Sequence, residues 1–192
     1  MTLRPIALIG EPVLRQAARE VRRDELASAA LQSLIDDLVT TMRAANGAGL
    51  AANQIFEPLR ICAIEVADNP RYPYKPKIPL TVLVNPHLTP LGDHPTFSNY
   101  EGCLSVPNLR GRVARHPEVR VQAWDRHGVP IDVVVRGISA GTFQHEVDHL
   151  DGTLFVDRVD DPKTLCTWEV FQRDHHAAVV AEVGALVKRW GT

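Results

Sequence analysis

The chain has 192 residues, 45% of them apolar, enough for one sizeable core and few for two, so the expectation is a single domain over residues 1–192. Charged residues make up 23% and nearly cancel to a formal net charge of -2, which argues against an electrostatic grip on free nucleic acid. No apolar run approaches the roughly 18 residues of a membrane span, the N-terminal segment lacks the apolar centre of a signal peptide, and three cysteines are too few and too odd in number for a disulfide framework. A soluble, cytoplasmic protein away from membranes is expected.

In chain order, Asp24 is positioned to cap a first helix in which Leu31, Leu34, Ile35, Leu38 and Met42 recur at helical spacing, with Asn46-Gly47 as its stop. Gly47-Ala48-Gly49-Leu50-Ala51-Ala52-Asn53-Gln54 follows, a small-residue segment that lets a ligand or strand approach the backbone closely but lacks the Lys-Ser/Thr ending of a phosphate loop. Leu59 to Val66 and Leu80 to Val84 read as buried strands. Between them the stretch from Asp68 to Pro79 holds Pro70, Pro73, Pro76 and Pro79 and reads as an irregular surface loop to which sequence assigns no role. Val119, Val121 and Ala123, then Ile131, Val133 and Val135, alternate with polar neighbours around Asp125-Arg126-His127-Gly128, the pattern of a hairpin with one buried face.

Gly137 and Gly141 bracket the start of a helix running through Leu150 to a stop at Gly152. Asp161-Pro162 then reads as cap and first position of a long closing helix with an apolar stripe of Leu165, Trp168, Phe171, Val179, Val183, Leu186 and Trp190. Hairpins outside strict alternation with helices predict an α+β fold, antiparallel sheets packed around a central metal-binding helix, with an N-terminal helix and a long C-terminal one.

That central helix carries His145-Glu146-Val147-Asp148-His149. Two histidines four apart sit about 40° apart around a helix axis, so both imidazoles reach one ion, while Phe143, Val147 and Leu150 face the opposite way and can pack. A catalytic site needs a third protein ligand and an open position. Two residues compete for that place. Cys103, within Glu101-Gly102-Cys103-Leu104-Ser105, offers a thiolate, although a lone cysteine is more often a small buried hydrophobe. Glu169, 20 residues beyond His149, would match the ligand set of one class of zinc endopeptidases. The remaining histidines, His87, His94, His116, His127, His175 and His176, show no convergent spacing and read as surface residues.

Taken together, the loop from Gly47 to Gln54, the segment from Glu101 to Ser105 and the helix from Gln144 to His149 resemble the signatures of peptide deformylases, in the family's order. Ile9 to Arg15 and Asp148 to Gly152 are similar to the family as well, so the resemblance spans nearly the whole chain. It favours Cys103 over Glu169. It implies a hydrolase that removes the N-formyl group from the formylmethionine of newly made proteins, releasing formate. Cys103, His145 and His149 would hold one divalent ion, Fe(II) by preference, with Zn, Ni or Co also compatible, and water in the fourth position. Glu146 would be the acid/base, with the Gln54 side chain and the Leu104 backbone N–H stabilising the oxyanion. The resemblance further implies substrate contacts at Gly47, Ala48, Gly49, Gly102 and Arg110, while Thr142, about 60° round the helix from His145, is placed to line the pocket. Ala48 departs from the larger aliphatic residue common in the family, which bears on pocket width. Glu101 and Arg115 could pair to hold the Cys103 loop. The expected partners are nascent formylmethionyl peptides and, through the last helix, the ribosome. The competing readings are the endopeptidase with Glu169 and a metal-stabilised binding module without catalysis.

Overall fold

A computed structural model describes residues 2–67 and 73–191. The first helix, α1 (Ala29–Ala44), is capped by Ser28, whose Oγ accepts from the Leu31 N–H. Asp24 instead pairs with Arg22 at 3.1 Å in an exposed turn. A short side chain immediately before the first apolar repeat captures the free N–H groups better than one four residues earlier.

A five-stranded antiparallel sheet, in the order β1-β2-β3-β6-β7, is built from β1 (Gly49–Ala51), β2 (Ile61–Val66), β3 (Ile78–Pro90), β6 (Glu118–Trp124) and β7 (Pro130–Arg136). Alternation sends its side chains to two cores. Ile61, Ala63, Val82 and Val84 meet Leu31, Ile35, Leu38 and Met42 of α1. Cys62, Ile64, Leu83, Val119 and Val121 face the other way, against Phe143 and Leu150 of α2 (Gly137–Leu150). Each fully buried Leu or Ile contributes about 1.5–3 kcal/mol, so these two cores fasten α2 to the sheet. A second sheet, β4-β5-β8, comprises β4 (Phe97–Cys103), β5 (Val106–Arg115) and β8 (Cys166–Thr167). It covers the remaining side of α2, which therefore lies at the centre. The α+β class and the antiparallel sheets around that helix are as expected from sequence.

Several details differ. Ile78 and Pro79 belong to β3 rather than to the proline-rich loop, and residues 68–72 of that loop lie outside the described residues. The 118–136 hairpin pairs in register, Glu118 with Arg136 and Trp124 with Pro130, but β7 is the sheet edge and buries little; Val133 is 46% exposed. Asp161 caps only a three-residue 3₁₀ turn, Pro162–Thr164, because Leu165 is extended and Cys166–Thr167 pairs with Arg110 and Leu109. The closing helical segment starts later, with Thr167 as N-cap. It passes through a π-helical turn (Phe171–His175) and continues as α3 (His176–Trp190), packing Phe171, Val179 and Val183 against Ile138. Among the described residues no helix is long and apolar enough to cross a membrane.

Candidate metal and catalytic centre

Glycine and alternation explain how three remote segments meet. The β4–β5 register slips between Glu101 and Cys103, so the strand bulges at Gly102 and re-aims the Cys103 thiol toward α2. A Cβ on Gly102 would run into the Arg110 guanidinium, so the glycine lets that side chain lie close against the strand. On α2, the turn from His145 to His149 presents both imidazoles to that sulfur. One donor atom from each of Cys103, His145 and His149 lies within 4.8 Å of the others, and Cys103 Sγ is 3.2 Å from His149 Nε2. Glu169 takes no part in this cluster: it is exposed, on the turn that leads into the π-helical segment.

The donor set suits a divalent ion. His145 Nδ1 contacts Glu101 Oε2 at 2.8 Å, which orients the ring and leaves Nε2 toward the cluster, the carboxylate-histidine pairing common around bound metals. Although burial pushes the Cys103 thiol up, His149 and His145 hold it well below the usual thiol range, which favours the thiolate, the metal-binding form. Burial lowers His145, but its bonds to Cys103 and Glu101 win and raise it well above an ordinary imidazole. Thiolate with two imidazoles fits zinc, iron, cobalt or nickel.

Around the ligands runs a buried ionic network. Arg115 donates to both oxygens of Glu101, at 2.7 and 2.9 Å, and to Asp148 at 2.6 Å; Arg158 donates to Asp148 as well. Burial alone would raise Glu101, yet Arg115 and His145 hold it well below the usual carboxylate range. Arg115→Met would remove the cation shared by two buried carboxylates and leave Glu101 with His145 and Asp148 with Arg158, a loss below the roughly 3–5 kcal/mol of a fully stranded buried charge. We expect a lowered denaturant midpoint with unchanged slope and metal affinity weakened about 10–100-fold; an unchanged midpoint would exclude this role for the network.

Glu146 is 4% exposed and projects into the cavity beside the cluster. Burial raises its carboxyl, with the charges of His145 and His149 opposing. Its Oε2 has no partner among the described residues, and a Cβ at Gly49 would overlap its carboxylate, so Gly49 makes room for it. Gln54 is held with equal care. Its Oε1 accepts from the Ala51 N–H at 2.8 Å, which turns Nε2 toward Ser105 Oγ at 2.9 Å and Cys103 Sγ at 3.4 Å. The amide thus offers its donor end to the site.

Gly47, Ala48, Gly49, Gly102, Leu104 and Thr142 also line the cavity. Arg110 does not: it is buried behind Gly102, donates to the Leu109 carbonyl and lies 4.5 Å over the Trp168 ring. Its guanidinium packs against the backbone of Gly102, which does line the cavity. Sequence reasoning missed Lys75, Phe97, Asn99, Tyr100 and Ile138, which complete the wall. For Phe97 and Asn99 the alternation with Glu101 along one strand face was the available signal. The proline-rich loop also reaches the site, with Lys75 in the wall and Tyr74 edge-on to His176 at 5.6 Å. His175 and His176 are half-buried rather than surface residues, His175 stacking on Tyr100 at 5.1 Å.

Residues 3–165 match the family described as Polypeptide deformylase. Peptide deformylase 1 of Nitrosomonas europaea is 43% identical over 159 residues, covering 83% of this chain and 89% of that protein. A Met-Ala-Ser-bound class I type b peptide deformylase from Acinetobacter baumannii superposes with a TM-score of 0.78 at 39% identity, over 82% of this chain and 99% of that one. A Legionella pneumophila peptide deformylase structure aligns over 98% of this chain and 99% of its own at 32% identity and a TM-score of 0.72.

Proposed function

The chain belongs to the peptide deformylase family, hydrolases that remove the formyl group from nascent peptides, and from that premise we propose how the residues of its cavity carry out the reaction. The single observation that carries the reading is the convergence of Cys103, His145 and His149 beside a buried Glu146 oxygen without a partner among the described residues. We take residues 1–192 to act as one catalytic domain in the cytoplasm, with Fe(II) as resident ion, on the family resemblance and the thiolate-imidazole donor set.

Cys103, His145 and His149 would hold a divalent ion, which when bound would supply Lewis acidity and lower the pKa of a water to about 7. Glu146 then takes a proton from the attacking water and returns it to the departing amine. Burial, which raises this carboxyl above its ordinary value, makes it a better base for the first transfer and keeps it protonated for the second. Gln54 Nε2 and the Leu104 N–H stabilise the charge that grows on the formyl oxygen. The substrate lies extended along the backbone of Gly47, Ala48, Gly49 and Gly102, where main-chain hydrogen bonds tolerate many sequences, and Thr142 lines the pocket for the first side chain. Formyl carries only hydrogen on its far side, so the narrow space near Glu146 and Gly49 admits it and rejects acetyl. Nascent formylmethionyl chains are the partners, and α3 is the surface we assign to ribosome contact.

The test is formate release from a formyl-Met-Ala-Ser peptide by protein purified anaerobically with its native metal, with acetyl-Met-Ala-Ser as control. Equal hydrolysis of both peptides, or of neither, would overturn the assignment. Gln54→Ala should lower kcat about a hundredfold, roughly 3 kcal/mol, and leave KM nearly unchanged, because its donor is needed when charge develops. A change in KM alone would make Gln54 a binding residue only.

A further inference from the structure

Away from the three ligands, the cavity runs along the side of α2 that carries Thr142, Gly141 and Ile138, beneath the start of β4. Thr142 and Gly141 precede His145 by three and four residues and so share its side of the helix. On β4, Phe97, Asn99 and Glu101 point one way by alternation. Glu101 meets His145 at one end, and at the other the Phe97 ring lies 3.2 Å from where a Cβ on Gly141 would stand. Asn99 therefore faces the helical turn that carries Thr142. Both are deeply buried, at 5% and 7% exposure, and Asn99 Oδ1 and Thr142 Oγ1 have no hydrogen-bond partner among the described residues.

Two buried polar atoms without partners are costly where leucine and valine would fill the same volume at no such penalty. A pocket shaped only for a thioether gains nothing from them. A peptide whose formyl carbon sits at Glu146 places its first side chain, one amide bond away, in this part of the cavity. Resting on the deformylase reading above, we propose that this pocket recognises a neutral hydrogen-bonding group at the end of a side chain of methionine's length, the class that includes glutamine and methionine sulfoxide. An amide and a hydroxyl each donate and accept, so both members can be paired without burying a charge.

The experiment compares kcat/KM for formyl-Gln-Ala-Ser, formyl-(methionine sulfoxide)-Ala-Ser, formyl-Met-Ala-Ser and formyl-norleucyl-Ala-Ser. The readout is the ratio of each polar peptide to norleucine, taken within each enzyme, which cancels losses of active protein. In the wild type the ratio should be one or above, and in Asn99→Leu and in the near-isosteric Thr142→Val it should fall about tenfold, the loss of one hydrogen bond. A ratio far below one that neither variant moves overturns the proposal; should Asn99→Leu fail to fold, Thr142→Val decides. Failure to hydrolyse formyl-Met-Ala-Ser as well would instead sink the deformylase reading, so the two failures are distinct.

Discussion

Cys103→Ala should abolish both tight metal binding and deformylation, whereas Glu169→Ala should leave both intact. The argument is geometric and electrostatic. The sulfur stands 3.2 Å from His149 Nε2, and the two imidazoles hold it as a thiolate within a buried pocket. Replacing it leaves two histidines, which bind a divalent ion far more weakly than three ligands that include an anion. The fold should tolerate the change. Cys103 belongs to a cluster with Ala7, Val106, Val113 and Phe155, separate from the two that hold α1 and the five-stranded sheet. Metal content by elemental analysis should drop from one ion per chain to near zero, with formate release below detection and the far-ultraviolet spectrum unchanged. Retained metal and turnover in the alanine variant, with loss of both in Glu169→Ala, would hand the site to the endopeptidase reading.

How much of this was legible in sequence follows from the range of the interactions involved. His145 and His149 are linked by helical periodicity, a local property, so their shared side of α2 could be read directly. The meeting with Cys103, 42 residues before His145, could not be read from periodicity, since it depends on the bulge at Gly102 in the β4–β5 pairing. Only the motif resemblance pointed to it. The same distinction explains the misplaced caps. Asp24 and Asp161 are good caps by type, but Ser28 lies nearer the first apolar turn, and pairing of Cys166 with Arg110 in β5 overrides the helix after Pro162. Tertiary pairing also decided the fate of Arg110 and of His175 and His176, whose contacts with Trp168, Tyr100 and Tyr74 join segments no local pattern connects.

Glu146→Gln is the sharper test of mechanism, because it should retain the ion and the fold yet lower kcat by a factor between about 10² and 10⁴, the usual contribution of a positioned acid/base. The amide has nearly the carboxylate's shape, so the close fit against Gly49 survives, and His145 and His149 keep their places on α2. What disappears is the ability to accept a proton. A site that merely braced the fold with its ion would have no use for a buried carboxylate oxygen without a partner among the described residues, and the substitution would then be silent or stabilising. Full activity with bound metal in Glu146→Gln would therefore transfer the proton chemistry elsewhere. A parallel loss of metal would show instead that the carboxylate holds the ligands in place, a positioning role that the Arg115 and Glu101 network already fills from the opposite side of His145.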